Sequence, residues 1–258
     1  MKTRSHKELL DKVRKTLKGL QDSSQRTSGM WKPTGEHTVR IVPYKHAEYP
    51  FIELFFHYGI DNKNYISPKS FGNPDPFEKF ADKLAATGDK NDYALSRTLR
   101  AKMRIFVPVL VRSEEDEGIR FWQFGKTTYE EILKIMSDPD YGDISDINNG
   151  TDLVITYQTP EEAGNNFGKT SIRTKRNTSP LSDSEELIKK YLDEQKNIND
   201  IYKELEYDEL KDILENWLKN KNSKEEKEIS NNSNDEEEVK NEDVDKASAA
   251  FDKLFPKK

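Results

Sequence analysis

Two rhythms of apolar residues divide the chain. Period-two alternation, which puts successive side chains on opposite faces of a strand, runs through residues 30–32 and through HTVRIVPYK at 37–45, where Val39, Ile41 and Pro43 oppose Arg40, Val42 and Tyr44. It returns in YPFIELFFHYGI at 49–60, in Tyr65 and Ile66 after the turn DNKN, in the stretch 97–126, and in 152–159 with an antiparallel return at 170–176. Helical spacing takes over at Leu9, Leu10, Val13 and Leu17, at Phe77, Phe80, Ala81 and Leu84, and at Tyr129, Ile132, Leu133 and Met136. Residues 182–220 repeat it through Leu187, Ile188, Tyr191, Ile201, Leu205, Leu210, Leu214 and Trp217, which predicts two or three helices. Ser5 with Glu8 and Ser182 with Glu185 have capping-box spacing at two of these helix starts. Residues 221–245 carry almost no apolar side chain and predict disorder. Beyond them ASAAFDKLFPKK sets Phe251, Leu254 and Phe255 at helical spacing, as a docking peptide or a frayed tail.

Several short strands broken by turn chemistry predict an α+β fold with a mainly β core, a small barrel or sandwich interrupted by helix. The expected organisation is a basic N-terminal arm and helix at 1–20, a β core at 21–180 with an inserted subdomain at 67–92, a helical extension at 181–220, and an acidic tail with a terminal peptide at 221–258.

Candidate chemistry concentrates in residues 97–126. An extended strand lines Arg100, Lys102, Arg104 and Phe106 on one side and Met103, Ile105 and Val107 on the other. After an acidic turn ending at Gly118, Arg120, Trp122, Phe124 and Lys126 share one face. Cations that follow a phosphate backbone, beside rings on which bases stack, suit a sequence-tolerant single-strand binder. The alternative is a half-buried hairpin with Trp122 and Phe124 in the core. Phe167, at a glycine-flanked tip beside Lys169, Arg173, Lys175 and Arg176, repeats the combination of cation and ring.

Composition narrows the classes. Hydrophobic residues make up 33% of the chain and charged residues 35%, so part of it is expected outside any core. The net charge of -6 is uneven: residues 1–180 carry +3 and residues 181–258 carry -9, a basic body with an acidic tail, as in proteins that handle nucleic acid. Cysteine is absent, which excludes disulfides, a thiolate nucleophile and any cysteine-held metal. No signal-like apolar region and no stretch near about 18 apolar residues is present, which predicts a soluble, cytoplasmic protein without membrane contact. Phosphate-cradling, dinucleotide, nucleophile-elbow and zinc-protease motifs are missing. His6, His37, His46 and His57 show no metal-like pairing, and the dense carboxylates fall in the turn at 114–117 and the tail at 235–238. No enzymatic activity is expected; a metal-dependent nuclease built from scattered carboxylates is the alternative.

The order and spacing of TVRIVPYK, of FFHYGI before a turn and NYI, of RAKMRIFVPVLV, and above all of IRFWQFGKTTYEEI resemble the single-stranded-DNA-binding, helix-destabilising proteins of T-even-type phages, the gene 32 product family, over residues 1–220. The resemblance implies an OB-fold barrel with an inserted subdomain, a basic arm for cooperative self-association, and an acidic C-terminal region that contacts replication and recombination proteins. Lys2, Thr3, Arg4 and Ser5 match the family's cooperativity motif, and Arg40 its first-strand arginine. Phe80 and Tyr93 stand where the family has cleft tyrosines, Arg100 and Lys102 at its basic run, Phe106 at a tryptophan, Trp122 at a tyrosine and Phe167 near another. With Tyr65, and with Arg104 and Phe124 from the same alternation, these form the expected DNA-binding set.

Two departures from the family stand out. Its inserted subdomain is held by zinc on one histidine and three cysteines; His57 is in place, but Ser67 or Pro68, Asp75 and Glu78 replace the cysteines. The zinc is therefore expected to be lost, leaving no cofactor, with Phe71, Phe77, Phe80 and Leu84 packing in its stead. Gln123 replaces an arginine after the stacking residue. The function implied is cooperative, sequence-nonspecific binding of single-stranded DNA in phage replication, recombination and repair, in the host cytoplasm. An RNA-binding OB-fold protein is the alternative.

Overall fold

The computed structural model describes residues 29–231, 247 and 249–255. In chain order the elements are β1 (Met30–Trp31), β2 (Gly35–Ile41), β3 (Ile52–Ile60), β4 (Lys63–Ile66), α1 (Pro76–Ala85), α2 (Lys90–Leu99), β5 (Lys102–Val111) and β6 (Arg120–Phe124), followed by α3 (Lys126–Ser137), β7 (Gly150–Gln158), α4 (Pro160–Ala163), β8 (Lys169–Ser179), α5 (Glu185–Asp193), α6 (Ile198–Ile201) and α7 (Tyr207–Asn231). Residues 249–254 form a further helix. The fold is α+β, with mixed strand pairing. The chain divides into two compact units: Met1–Glu53 with Arg104–Tyr202, and Leu54–Met103 with Lys203–Lys258. The second unit thus starts before residue 67, ends after 92, and takes in the C-terminal segment from Lys203.

In the first unit the strand order is β1-β6-β5-β2-β7-β8. The β1–β6 pair is parallel and the other pairs are antiparallel. Among the described residues β1 and β8 stand at opposite ends of this order, so the sheet is not closed into the expected barrel. β5 is central, flanked by β6 with Val107 opposite Trp122 and by β2 with Val39 opposite Val111. From Ile105 to Val111 every side chain is buried, which explains the continuous apolar run of that strand. Val42 and Leu110 continue the core into Leu181 and Tyr191, seating α5. The N-cap of α5 is Ser184, whose hydroxyl accepts from the Leu187 N–H at 3.3 Å, rather than the expected Ser182.

The second unit contains the β3–β4 hairpin, α1, α2 and α7. Asp61 and Asn62 turn the hairpin with φ of 49° and 60°, the left-handed region these two residue types tolerate best after glycine. Asp75 caps α1 and Pro76 opens it, its fixed φ suiting the first helical position. Phe77, Phe80 and Leu84 on α1 pack with Leu99 on α2, with Leu210, Leu214 and Leu218 on α7, and with Phe251 and Phe255.

Three expectations are corrected by the elements themselves. Residues 97–99 are the last turn of α2, not the start of a strand, because Asp89 caps a helix through Leu99. α7 runs to Asn231, into the stretch expected to be disordered; KNSKEEKEIS is rich in strong helix formers. The terminal peptide is helical and packed, not frayed. The expected N-terminal helix, with Lys2, Thr3, Arg4 and Ser5, and the acidic residues 232–246 lie outside the described residues. No helix of the described residues is long and apolar enough to cross a membrane.

Candidate nucleic-acid interface

The rings expected to stack bases in the β5–β6 hairpin are core residues. Phe106 is 0% and Trp122 1% exposed, and Phe124 is also buried. β6 lies between β5 and β1 and its rings are enclosed: Trp122 stands 4.4 Å from Phe124 and 6.0 Å from Trp31 between centroids. Phe106 meets Tyr202 at 5.2 Å. Alternation holds along these strands, but the rings are spent on the core: Trp122 and Phe124 reach the groove lined by β6, α3 and the β7–β8 hairpin only as buried wall residues, and Phe106 does not line it.

Arg40 is likewise interior. Its Nε donates to Asp152 Oδ1 at 2.8 Å, and its other nitrogens donate to the Ser179 carbonyl at 2.9 Å and hydroxyl at 2.8 Å. The guanidinium therefore ties β2 to β7 and β8. Burial lowers its pKa against the opposing pull of Asp152, yet an arginine stays charged, which is why a carboxylate must accompany it. Asp152 is shared with Arg112, whose Nε and Nη2 lie 3.0 and 3.1 Å from its two oxygens. Arg104 is half-buried, its Nη1 3.7 Å from where a Cβ on Gly125 would stand.

Five of the expected residues belong to the second unit. Phe80 is fully buried in its core, and Tyr65 packs half-buried against the same cluster. Arg100 is the C-cap of α2 and pairs with Glu78 at 3.0 Å and Asp82 at 2.7 Å. Tyr93 and Lys102 are exposed.

His57, Ser67, Asp75 and Glu78, the residues expected at zinc-ligand positions by resemblance, form a hydrogen-bonded network. His57 Nδ1 donates to the Leu99 carbonyl at 2.7 Å, and Nε2 lies 2.8 Å from Asp75 Oδ2, which also accepts from the Ser67 hydroxyl. Asp75 Oδ1 accepts from the N–H groups of Phe77 at 2.8 Å and Glu78 at 3.2 Å, capping α1. Burial pushes the Asp75 pKa up, but hydrogen bonds and charge from His57, with the Ser67 hydroxyl, outweigh it and hold the carboxyl below its ordinary value. Phe77 stacks on the imidazole at 4.5 Å. Both His57 nitrogens are committed to acceptors, and Glu78 is occupied by the Ala101 N–H at 2.8 Å and by Arg100. This donor set does not fit a zinc ion. Among the described residues no cluster of three or more His, Cys, Asp or Glu side chains could hold a metal.

The first unit does assemble cations, a ring and a groove elsewhere. An open groove of about 780 Å³ is lined by β6, the first turn of α3 and the β7–β8 hairpin, with Lys32, Thr127, Thr128, Tyr157 and Lys169 among its side chains. Gly125, the N-cap of α3, has no side chain to cap the helix, and it lines the groove together with Thr127 and Thr128 of the first turn. The hairpin tip carries Phe167, 79% exposed, between Asn165 and Gly168 of the groove wall. Asn165 Oδ1 accepts from the Phe167 N–H at 2.8 Å and fixes the tip. Gly168 leaves room for the end of the Tyr157 side chain: a Cβ there would stand 2.7 Å from Tyr157 Cζ, so the ring would have to move. β8 ends the strand order, and Lys169, Arg173, Lys175 and Arg176 along it are exposed. Arg173 meets Glu36 at 3.4 Å, a solvated pair of little strength.

Of the expected set, then, Phe167 is the exposed ring in the first unit. Lys32, Thr127, Thr128 and Tyr157 were not singled out by the sequence, because no local pattern links residues so far apart. The β8 cations were visible as a theme, but nothing in the sequence marked β8 as the strand at the sheet's end. Comparison with protein-family models finds no match for this chain, and comparison with curated proteins finds none.

Proposed function

We propose that the protein binds single-stranded DNA without sequence preference, on the first unit, along the groove and the cationic β8 edge. The supporting observation is the convergence of four exposed cations on β8 with the exposed Phe167 ring and a hydroxyl-lined groove. Cations neutralise phosphates and release counterions, and a ring face at the tip stacks a base that a duplex would keep paired. The open sheet is a variant of the OB plan in this reading, with β1 and β8 not paired to each other. Cooperative self-association through Lys2, Thr3, Arg4 and Ser5, contact with replication and recombination proteins through the acidic tail, and a role in replication, recombination and repair without a chemical step complete the proposal. The test is fluorescence anisotropy of labelled oligo-dT with the full chain. Saturable binding that weakens with salt supports it; binding that matches a duplex of equal length overturns it. Stacking and phosphate contacts are open to RNA as well, so competition by a matched ribo-oligomer separates the two sugars.

A further inference from the structure

The C-terminal residues carry an apolar stripe that nucleic-acid binding leaves unused. Ala247, Ala250, Phe251, Leu254 and Phe255 fall at i, i+3, i+4, i+7 and i+8, one face of a helix, while Asp252 and Lys253 are exposed. Ala247, Phe251 and Phe255 are 1%, 2% and 7% exposed. The side chains that receive them have matching spacing: Phe80 and Leu84 on α1, and Leu210, Leu214 and Leu218 on α7. Phe80 meets Phe251 edge to face at 5.6 Å, and the Phe255 ring has the ammonium groups of Lys79 and Lys211 at 5.4 and 5.8 Å. These contacts lie wholly within the second unit. α1 and α7 form a seat for an amphipathic helix that enters through two phenyl anchors four residues apart.

A helix this short does not hold itself together in water, so it is helical because it is docked. Residues 232–246 join it to α7, with seven acidic and two basic side chains. Fully extended, those 15 residues reach no more than about 50 Å. The sequence that fits the seat is the chain's own, and every copy carries both seat and complement. We infer that the seat is an exchangeable docking site, filled by the chain's own C-terminal helix in an isolated molecule and by the same helix of a second copy when copies are crowded. Exchange replaces each contact by an identical one, which makes it low in cost, and it links copies head to tail. The tether favours the chain's own helix in dilute solution, because it holds the segment at an effective concentration on the order of millimolar.

The test uses the full chain and, as probe, a labelled peptide of residues 245–258 standing for the second copy's segment; no nucleic acid is needed. A Phe251→Ala, Phe255→Ala double variant empties the seat and should bind the peptide saturably. The wild-type chain should bind it on the order of tenfold or more weakly, because its own helix competes at the tethered concentration. Equal binding to both chains, or no binding to a double variant whose circular dichroism and melting match wild type, overturns the inference. A second measurement needs no variant: hydrogen exchange of the wild-type chain with rising peptide. Amides of residues 249–255 should lose protection as the peptide displaces them, while β7 and β8 stay unchanged. Protection of 249–255 that persists at millimolar peptide overturns exchange whatever the double variant does.

Discussion

Replacing Asp75 by alanine tests how the second unit is held together. The carboxylate serves two groups of partners at once: Oδ1 caps α1 through the N–H groups of Phe77 and Glu78, and Oδ2 faces His57 and Ser67. Loss of the cap costs about 1 kcal/mol. His57 is fully buried, so its Nε2 is left without an acceptor, at about 1–3 kcal/mol, and the Ser67 hydroxyl loses its partner as well. Together these give about 3–5 kcal/mol, the range seen when one member of a buried pair is removed. Hydrogen exchange at the amides of α1 reads the loss locally and should accelerate by about 10²–10³·⁵-fold. Asp75→Asn should lose less, because asparagine is also a preferred cap and its amide retains hydrogen-bonding capacity toward the imidazole. The pH dependence has a definite sign. Because the folded pKa of Asp75 lies below its unfolded value, its contribution is fully present above the ordinary carboxylate pKa of about 3.9 and is lost as pH falls below it. The acid limb of the stability curve should therefore be flatter in Asp75→Ala than in wild type. Acceleration of less than about tenfold in Asp75→Ala would refute the network as what holds the start of α1 in place.

Further outcomes follow from the placement of single residues. Phe167→Ala should weaken oligo-dT binding by about 1–3 kcal/mol, one base stack, while leaving the melting temperature nearly unchanged; anisotropy and differential scanning calorimetry read the two effects separately. Arg40→Met should behave in the opposite way, since its partners Asp152 and Ser179 are internal: stability falls by about 2–4 kcal/mol, and a direct loss of affinity in a chain that remains folded is not expected. Gly168→Ala sets a Cβ against the end of the Tyr157 side chain, so the ring is displaced from the groove wall; the cost in stability should stay at or below about 1 kcal/mol by calorimetry, and oligo-dT anisotropy should show weaker binding.

Strands and helices were legible wherever one face meets water. The alternation of β8 and the stripes of α1 and α7 are of this kind, and their burial follows the sequence pattern. Faces were not legible in β5 and β6, because period-two alternation identifies two sides without saying which of them is covered; Phe106 and Trp122 look alike in sequence whether a base or a core lies beyond them. Arg40 shows the same limit in charge. Its acceptors on Asp152 and Ser179 lie more than a hundred residues away, so an interior ion pair looked like a phosphate contact. Arg100 was displaced by a boundary: α2 extends through Leu99 and turns the side chain toward Glu78 and Asp82 instead of along a strand. The spacing of Phe251 and Phe255 announced a helix, but its seat comprises α1 and α7, two segments separated by more than a hundred residues.

Nucleic-acid binding along β8 is tested most directly by the salt dependence of oligo-dT affinity in wild type and in a chain with Lys169, Arg173, Lys175 and Arg176 all changed to glutamate. These side chains are exposed, so the substitutions are expected to leave the fold intact. With each phosphate contact contributing about -0.7 to the log–log slope, four contacts give about -3 in wild type, and the variant should bind weakly with a much shallower slope. Wild-type affinity and slope retained in the variant would contradict the assignment of the DNA path to this edge.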